Sequence, residues 1–325
     1  MVRAKDRIIE LPRSPLDFIS DISLLDEQLA VSCWDGSLSI YDYDVKEQKV
    51  VLNARLQHQF PLLSCCYVAG AHRRQIYVGS VQGEVLEADF ELERFVPVGN
   101  NVAELGISSL CAFRGQILCG SWDGFLQVVN CAKNSVDLHW KLADGSKVLS
   151  MDVNEDRLIV ATTGNKVRWF SLPLEPGDGT EVESGLKYQA RKIKLTPAGD
   201  GYVTSSLDGR VAVEYFDDES RKFAFRCHRM NLVDTSMVFP VNALSFLPET
   251  EILYTGGSDG CVSCWNLHTR KKVEQLPKFN ENSVVRMECN DKVLCVATSD
   301  DSFKTSPTKD ERYNLQPSRI YLVFL

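Results

Sequence analysis

Residues 118–129 read LCGSWDGFLQVV: an apolar start, small residues, an Asp-Gly pair at 123–124, then a run of β-prone side chains. Two such runs joined by Asp-Gly form a hairpin, because Asp-Gly supplies the positive-φ residues of a tight turn. The unit recurs as VSCWDGSLSIY from Val31, YVGSVQGEVLEAD from Tyr77, VTSSLDGRVAVEY from Val203 and YTGGSDGCVSCW from Tyr254. A sixth copy, VATTGNKVRWF from Val160, puts Gly164-Asn165 in the turn. A seventh, VATSDDSF from Val296, carries Asp300-Asp301 before the pattern fades. The turn residues Gly36, Gly83, Gly124, Gly164, Gly209, Gly260 and Asp301 are separated by 47, 41, 40, 45, 51 and 41 residues. That period belongs to a β-propeller, whose four-stranded blades cannot bury both faces alone and so stack around an axis. The expectation is an all-β, seven-bladed propeller occupying residues 1–325 as one domain.

A ring of blades must be locked, and the two strand-like termini, residues 7–11 (RIIEL) and 319–324 (RIYLVF), are expected to share one composite blade. Residues 174–185 and 302–317 read as inserted loops.

Composition narrows the rest. The 325 residues are 44% hydrophobic and 25% charged, as in an ordinary globular protein. Thirty-six Lys and Arg against 44 Asp and Glu give a net charge of -8, which argues against general attraction to nucleic acid or an anionic membrane. The charged start, MVRAKDRIIELPRSP, has no signal-peptide core, and apolar stretches such as LLSCCYVAG at 62–70 are too short to span a bilayer. Eleven irregularly spaced cysteines then read as reduced thiols in cytosol or nucleus. Cys261 and Cys264 form a lone CxxC in a strand, where residues three apart face opposite ways, and no second pair supplies the remaining zinc ligands. They read as structural, as do Cys65 and Cys66.

No catalytic motif emerges. The histidines at 58, 72, 139, 228 and 268 are scattered, and no nucleophile elbow, dinucleotide fingerprint or phosphate loop is present. Asp35, Asp123, Asp208 and Asp259 serve hairpin geometry more simply than acid-base chemistry, and His228 reads as a satisfied polar residue beside a strand end. The expectation is no enzyme, cofactor or metal. Trp34 and Trp122 are more informative, since each immediately precedes Asp-Gly at a hairpin tip. One such tryptophan is as readily a packing cap as a contact residue; two at equivalent positions favour an interaction surface. Trp140, Trp169 and Trp265 lie on or beside strands and suit packing. Between Lys187 and Met230, nine Lys and Arg face six Asp and Glu, so this segment is +3 within an acidic chain. Such a run serves as often as a merely solvated face. Yet Arg210 follows a turn and Arg226 ends a strand, so the two guanidiniums could meet on the tryptophan rim, where their planar forks suit carboxylate or phosphate.

The stretches WDGSLSIYDYD, GSWDGFLQVV, ESGLKYQARKIKLTP, DGRVAVEYFDDE, KFAFRCHR, FPVNALSF, YTGGSDGCVSCWNLHTRKK and VATSDDSFKT closely resemble the Bub-type (budding uninhibited by benzimidazole) spindle-checkpoint WD-repeat family, nearly end to end. DGRVAVEYF followed by FRCHR and FPVN carries most of the specificity. The chain departs from regular WD repeats in lacking Trp-Asp repeat ends and in its fourth turn. The resemblance implies a WD40 propeller acting as a non-enzymatic adaptor at kinetochores in the nucleus. It implies binding to the GLEBS motif of a checkpoint kinase and of its pseudokinase-like relative in the checkpoint complex, and to phosphorylated MELT repeats of the kinetochore scaffold. Carried over by motif, Arg210 and Arg226 would hold the phosphothreonine, and Arg191, Trp34 and Trp122 would line the surface for the GLEBS segment, with Arg191 facing a glutamate. The related Rae-type propellers, which bind nucleoporins and serve messenger RNA export, are the nearest alternative. A propeller hydrolase or lactonase with a metal or acidic channel site is a more distant one.

Overall fold

A computed structural model describes residues 7–69, 74–100, 102–177, 179–302 and 316–325. Seven four-stranded antiparallel sheets follow one another along the chain, each ordered from an innermost to an outermost strand. Blade 1 comprises Ile19–Leu25, Gln28–Cys33, Ser37–Asp44 and Lys49–Gln57. Blades 2 to 6 begin with Leu62–Ala69, Ile107–Phe113, Val148–Val153, Ala190–Leu195 and Val241–Phe246. Blade 7 takes Ser283–Cys289, Val293–Ser299 and Arg319–Phe324 from the end of the chain and its outermost strand, Ile8–Glu10, from the beginning. Ile8 pairs with Val323 and Glu10 with Tyr321, the composite closure that the terminal runs imply.

The hydrophobic core is divided among the blade interfaces. Seven apolar clusters among the described residues each join two adjacent blades. The closing interface brings Ile19, Leu29, Val31 and Tyr41 of blade 1 against Val293, Cys295, Ile320, Leu322 and Phe324 of blade 7. A blade is thus stable only between two others, and removing the terminal strand would open the last contact.

Three local features refine the sequence reading. In the Asp-Gly turns only glycine takes positive φ, +83° at Gly36 and +65° at Gly209, while at the fourth turn Gly164 (+77°) and Asn165 (+63°) both do. The aspartate acts instead as an acceptor, Asp35 Oδ1 taking the Ser37 N–H at 2.8 Å. Residues 174–185, expected to be an inserted loop, contain Thr180–Glu183, the outermost strand of blade 4, which pairs with Lys166–Trp169. Its one apolar inward residue, Val182, gave too weak an alternation to announce a strand. The 302–317 loop lies outside the described residues except at its two ends.

His228 is satisfied as expected. Its Nδ1 sits 2.9 Å from Asp259 Oδ1 and its Nε2 2.9 Å from Thr255 Oγ1, which also accepts the Trp265 Nε1–H at 3.0 Å. This buried chain ties the linker after blade 5 to two strands and a turn of blade 6. His228→Ala should lower stability by about 2 kcal/mol, because it removes two buried hydrogen bonds and the side chain that joins them. Equal denaturation midpoints for the two proteins would refute that role.

A second interaction is pH-dependent. Glu288, on the innermost strand of blade 7, accepts the Leu24 N–H of blade 1 at 2.8 Å. Burial pushes its carboxyl up from 4.5 to about 7; Lys194 opposes the shift and Asp21 adds to it. Lys192, Arg286 and Asp152 line the same stretch of channel. The native state holds this proton more tightly than the unfolded chain. Its stabilisation is therefore complete below about 4.5 and lost as pH rises towards about 7. Glu288→Gln keeps an acceptor for Leu24, so its urea midpoint should fall less than that of the parent between about pH 5 and about pH 8. Parallel profiles would exclude Glu288 as the titrating group.

Candidate interaction surface at the channel mouth and on blade 5

Each innermost strand leaves one backbone edge facing the central channel, and each carries a one-residue bulge near its start. The extra residues are Ser20, Leu63, Ser108, Leu149, Arg191, Asn242 and Val285. A bulge bends its strand and re-aims a side chain. Ser20, Leu63, Ser108, Leu149 and Arg191 accordingly line a cavity of about 240 Å³ at one mouth of the channel.

Trp34 and Trp122 complete that cavity. Each follows the second strand of its blade, and its N–H is pinned by a carbonyl preceding the innermost strand: Trp34 by Phe18 at 3.0 Å, Trp122 by Gly106 at 2.9 Å. Though carried by blades 1 and 3, the two indoles meet, with ring centroids 6.5 Å apart and planes tilted by 31°. Trp34 remains 39% exposed, a large apolar surface offered to solvent. Arg191 stands in the same cavity, its Nη2 donating to Asn242 Oδ1 at 3.2 Å while its buried Nε has no hydrogen-bond partner among the described residues. Burial lowers its pKa, the neighbouring guanidinium of Arg286 lowers it further, and the carboxylate of Asp301 opposes the shift. An arginine under that pressure still keeps its charge, so the mouth favours an incoming anion.

Arg210 and Arg226 occupy the same face but a different place. They are direct partners in the register between Arg210–Tyr215 and Phe223–Arg226, the two outer strands of blade 5, so their side chains share one side of the sheet. The Asp208-Gly209 turn organises this site. Arg210 Nε lies 2.9 Å from Asp208 Oδ2, off the line of a hydrogen bond, making the contact an ion pair. Arg229 Nη2 donates to the Asp208 carbonyl at 3.0 Å, bringing a third guanidinium to the turn. Gly209 is required there, because a Cβ would fall 2.8 Å from the Cys227 carbonyl oxygen. Arg226 and Arg229 also border a cavity of about 460 Å³ with Lys272 and Lys278.

The structure therefore resolves one expected rim into two centres. Trp34, Trp122 and Arg191 converge at the channel mouth, whereas Arg210 and Arg226 gather on the outer half of blade 5. Sequence reading missed Arg229 as a member of the second centre and Arg286 beside the first. The Arg226 to Arg229 spacing in FRCHR was available; nothing local marked Arg286. Between these arginines and blade 6 a short hairpin, Arg229–Asn231 with Ser236–Val238, projects Met230, Leu232, Val233 and Met237 into solvent.

The tryptophans away from these centres pack as expected. Trp140 meets Phe170 at 5.7 Å and Trp169 meets Phe216 at 5.1 Å. All eleven cysteines are free thiols, and burial pushes Cys33 up to about 12.

Comparison with known proteins gives the chain its relatives. Residues 230–266 match the WD domain, G-beta repeat family, the blade that holds Thr255, Asp259 and Trp265. Solved structures of U3-55K and of the RRP9 WD40 repeats superpose with TM-scores of 0.75 at 16% identity over 98% of each chain, which establishes the shared fold. The Arabidopsis thaliana mitotic checkpoint protein BUB3.1 is 29% identical over 89% of this chain and 86% of its own length. A Schizosaccharomyces pombe poly(A)+ RNA export protein is 28% identical over 83% of this chain and 77% of its own. The Caenorhabditis elegans mitotic checkpoint protein bub-3 is 32% identical over 83% of this chain and 80% of its own length, and by that likeness the chain belongs to the Bub-type family of mitotic checkpoint WD-repeat proteins.

Proposed function

We propose that this spindle-checkpoint propeller is a non-enzymatic adaptor that works in the nucleus at kinetochores and holds two acidic ligands on one face. The observation that carries this reading is the gathering of Arg210, Arg226 and Arg229 around a single glycine turn. A phosphothreonine brings nearly two negative charges and three acceptor oxygens, the chemistry such a cluster suits. In this reading the phosphorylated MELT repeats of the kinetochore scaffold bind there. The GLEBS segments of the checkpoint kinase and its relative cross the channel mouth, laying apolar side chains on Trp34 and Trp122 and a glutamate near Arg191.

The distinction between two centres yields the test. Arg210→Ala should weaken a phosphorylated MELT peptide by roughly tenfold to a hundredfold in calorimetry, the span of one charge-assisted contact, and leave unphosphorylated peptide and GLEBS affinity nearly unchanged. Arg191→Ala should do the reverse. Equal losses for both ligands in either variant would break the assignment. The likeness to an RNA export protein supports a second reading, service on nucleoporin GLEBS segments. Recovery of nucleoporins rather than checkpoint kinases with the tagged protein would favour it.

A further inference from the structure

On the opposite face, blades 5 and 6 enclose a groove of about 280 Å³. Residues 196–200 join the first two strands of blade 5 and residues 249–251 those of blade 6, while Tyr215 and Leu267 close the third strands. These connections all lie at the end of the ring away from the Asp-Gly turns, and so away from Arg210 and Trp34. The floor is apolar, formed by Tyr215, Phe246 and Leu267. The rim is acidic, carrying Asp200, Glu249 and Glu251.

We propose that this groove docks a short, unphosphorylated segment of a partner protein in which an arginine or lysine adjoins a leucine, methionine or aromatic residue. Charge complementarity selects that occupant. Three of the residues lining the groove are carboxylates and none is basic; beside it, Arg221 is already committed to Asp200 at 3.0 Å, and Arg270 donates to the Arg221 carbonyl. His268 Nδ1 approaches Glu251 at 3.4 Å, whereas Glu249 is exposed and makes no ion pair among the described residues. Arg221 also demonstrates the recognition chemistry. Its guanidinium lies 3.7 Å from the Tyr215 ring centroid while reaching Asp200, so a cation here contacts an aromatic face and a carboxylate together. A partner's basic side chain can repeat this against Glu249, with its apolar neighbour covering Phe246 and Leu267. The two faces would thus take ligands of opposite charge without competing.

The groove is tested with the full chain and two labelled hexapeptides, Gly-Arg-Leu-Arg-Phe-Gly and its counterpart with Glu for each Arg. The first should bind saturably in fluorescence anisotropy, and the second should not. Glu249→Lys combined with Glu251→Lys, both exposed positions, should weaken the basic peptide at least about tenfold, the cost of about 1.4 kcal/mol, and leave phosphorylated MELT peptide binding unaltered. Absence of saturation, equal binding of the acidic peptide or undiminished affinity in the double variant would each overturn the proposal. So would a concentration-dependent dimer abolished by the same substitutions, since a second copy would then be the occupant. Because the phosphopeptide is measured alongside, failure of the arginine site and failure of this groove give different results.

Discussion

Every blade has an unfinished edge. The innermost strand pairs on one side only, leaving amides and carbonyls aimed at the channel, and unpaired backbone groups there carry a cost comparable to a lost hydrogen bond. Much of that need is met by the neighbouring blade. Asp21 accepts the Cys65 N–H, Ser109 that of Met151, Ser150 that of Ile193, Asp152 that of Leu195, and Glu288 that of Leu24. These links join blades 1 to 2, 3 to 4, 4 to 5 and 7 to 1, so the short polar residues of the inner strands are joints of the ring. Lateral apolar packing supplies most of the burial, while these directional contacts tie four of the seven blade interfaces together at their inner edge.

The same edge shapes the mouth of the channel. A bulge recurs in all seven inner strands, and in blades 1 to 5 it places one side chain at the mouth of the channel, most of them small or apolar. The charged exception is Arg191. Asn242, the bulge residue of the next blade, fixes one end of its guanidinium. Position is thus set by a repeated backbone device, and chemistry by one substitution within the repeat.

This division explains what could be read in advance. Turn spacing and terminal strands disclosed seven blades and their closure, because period and alternation are properties of consecutive residues. The paired tryptophans were visible for the same reason, lying at equivalent places in units one and three. That they touch was not, since blade 2 separates them in the chain and only the curvature of the ring unites them. Arg286 and Glu288 carried no signal at all; their significance arises from strands some 260 residues away closing on blade 1. The outermost strand of blade 4 escaped because an exposed edge strand needs little hydrophobic alternation, and Thr180–Glu183 is fully supported from one side.

The arginine centre on blade 5 depends on order established before any ligand arrives. A guanidinium free in water must surrender side-chain entropy to grip an anion, up to about 2 kcal/mol for so long a side chain. At the Asp208-Gly209 turn, part of that cost is met during folding: Asp208 draws in Arg210, and its carbonyl anchors Arg229. The Asp208 carboxylate carries one charge and is itself held by the Ser206 hydroxyl, so it can yield Arg210 to a ligand of higher charge without moving. A single negative charge offers Arg210 little that Asp208 does not already provide, whereas a phosphate dianion outbids it. Under the proposed reading, the internal ion pair would sharpen discrimination between phosphorylated and plain segments, in addition to positioning the arginines.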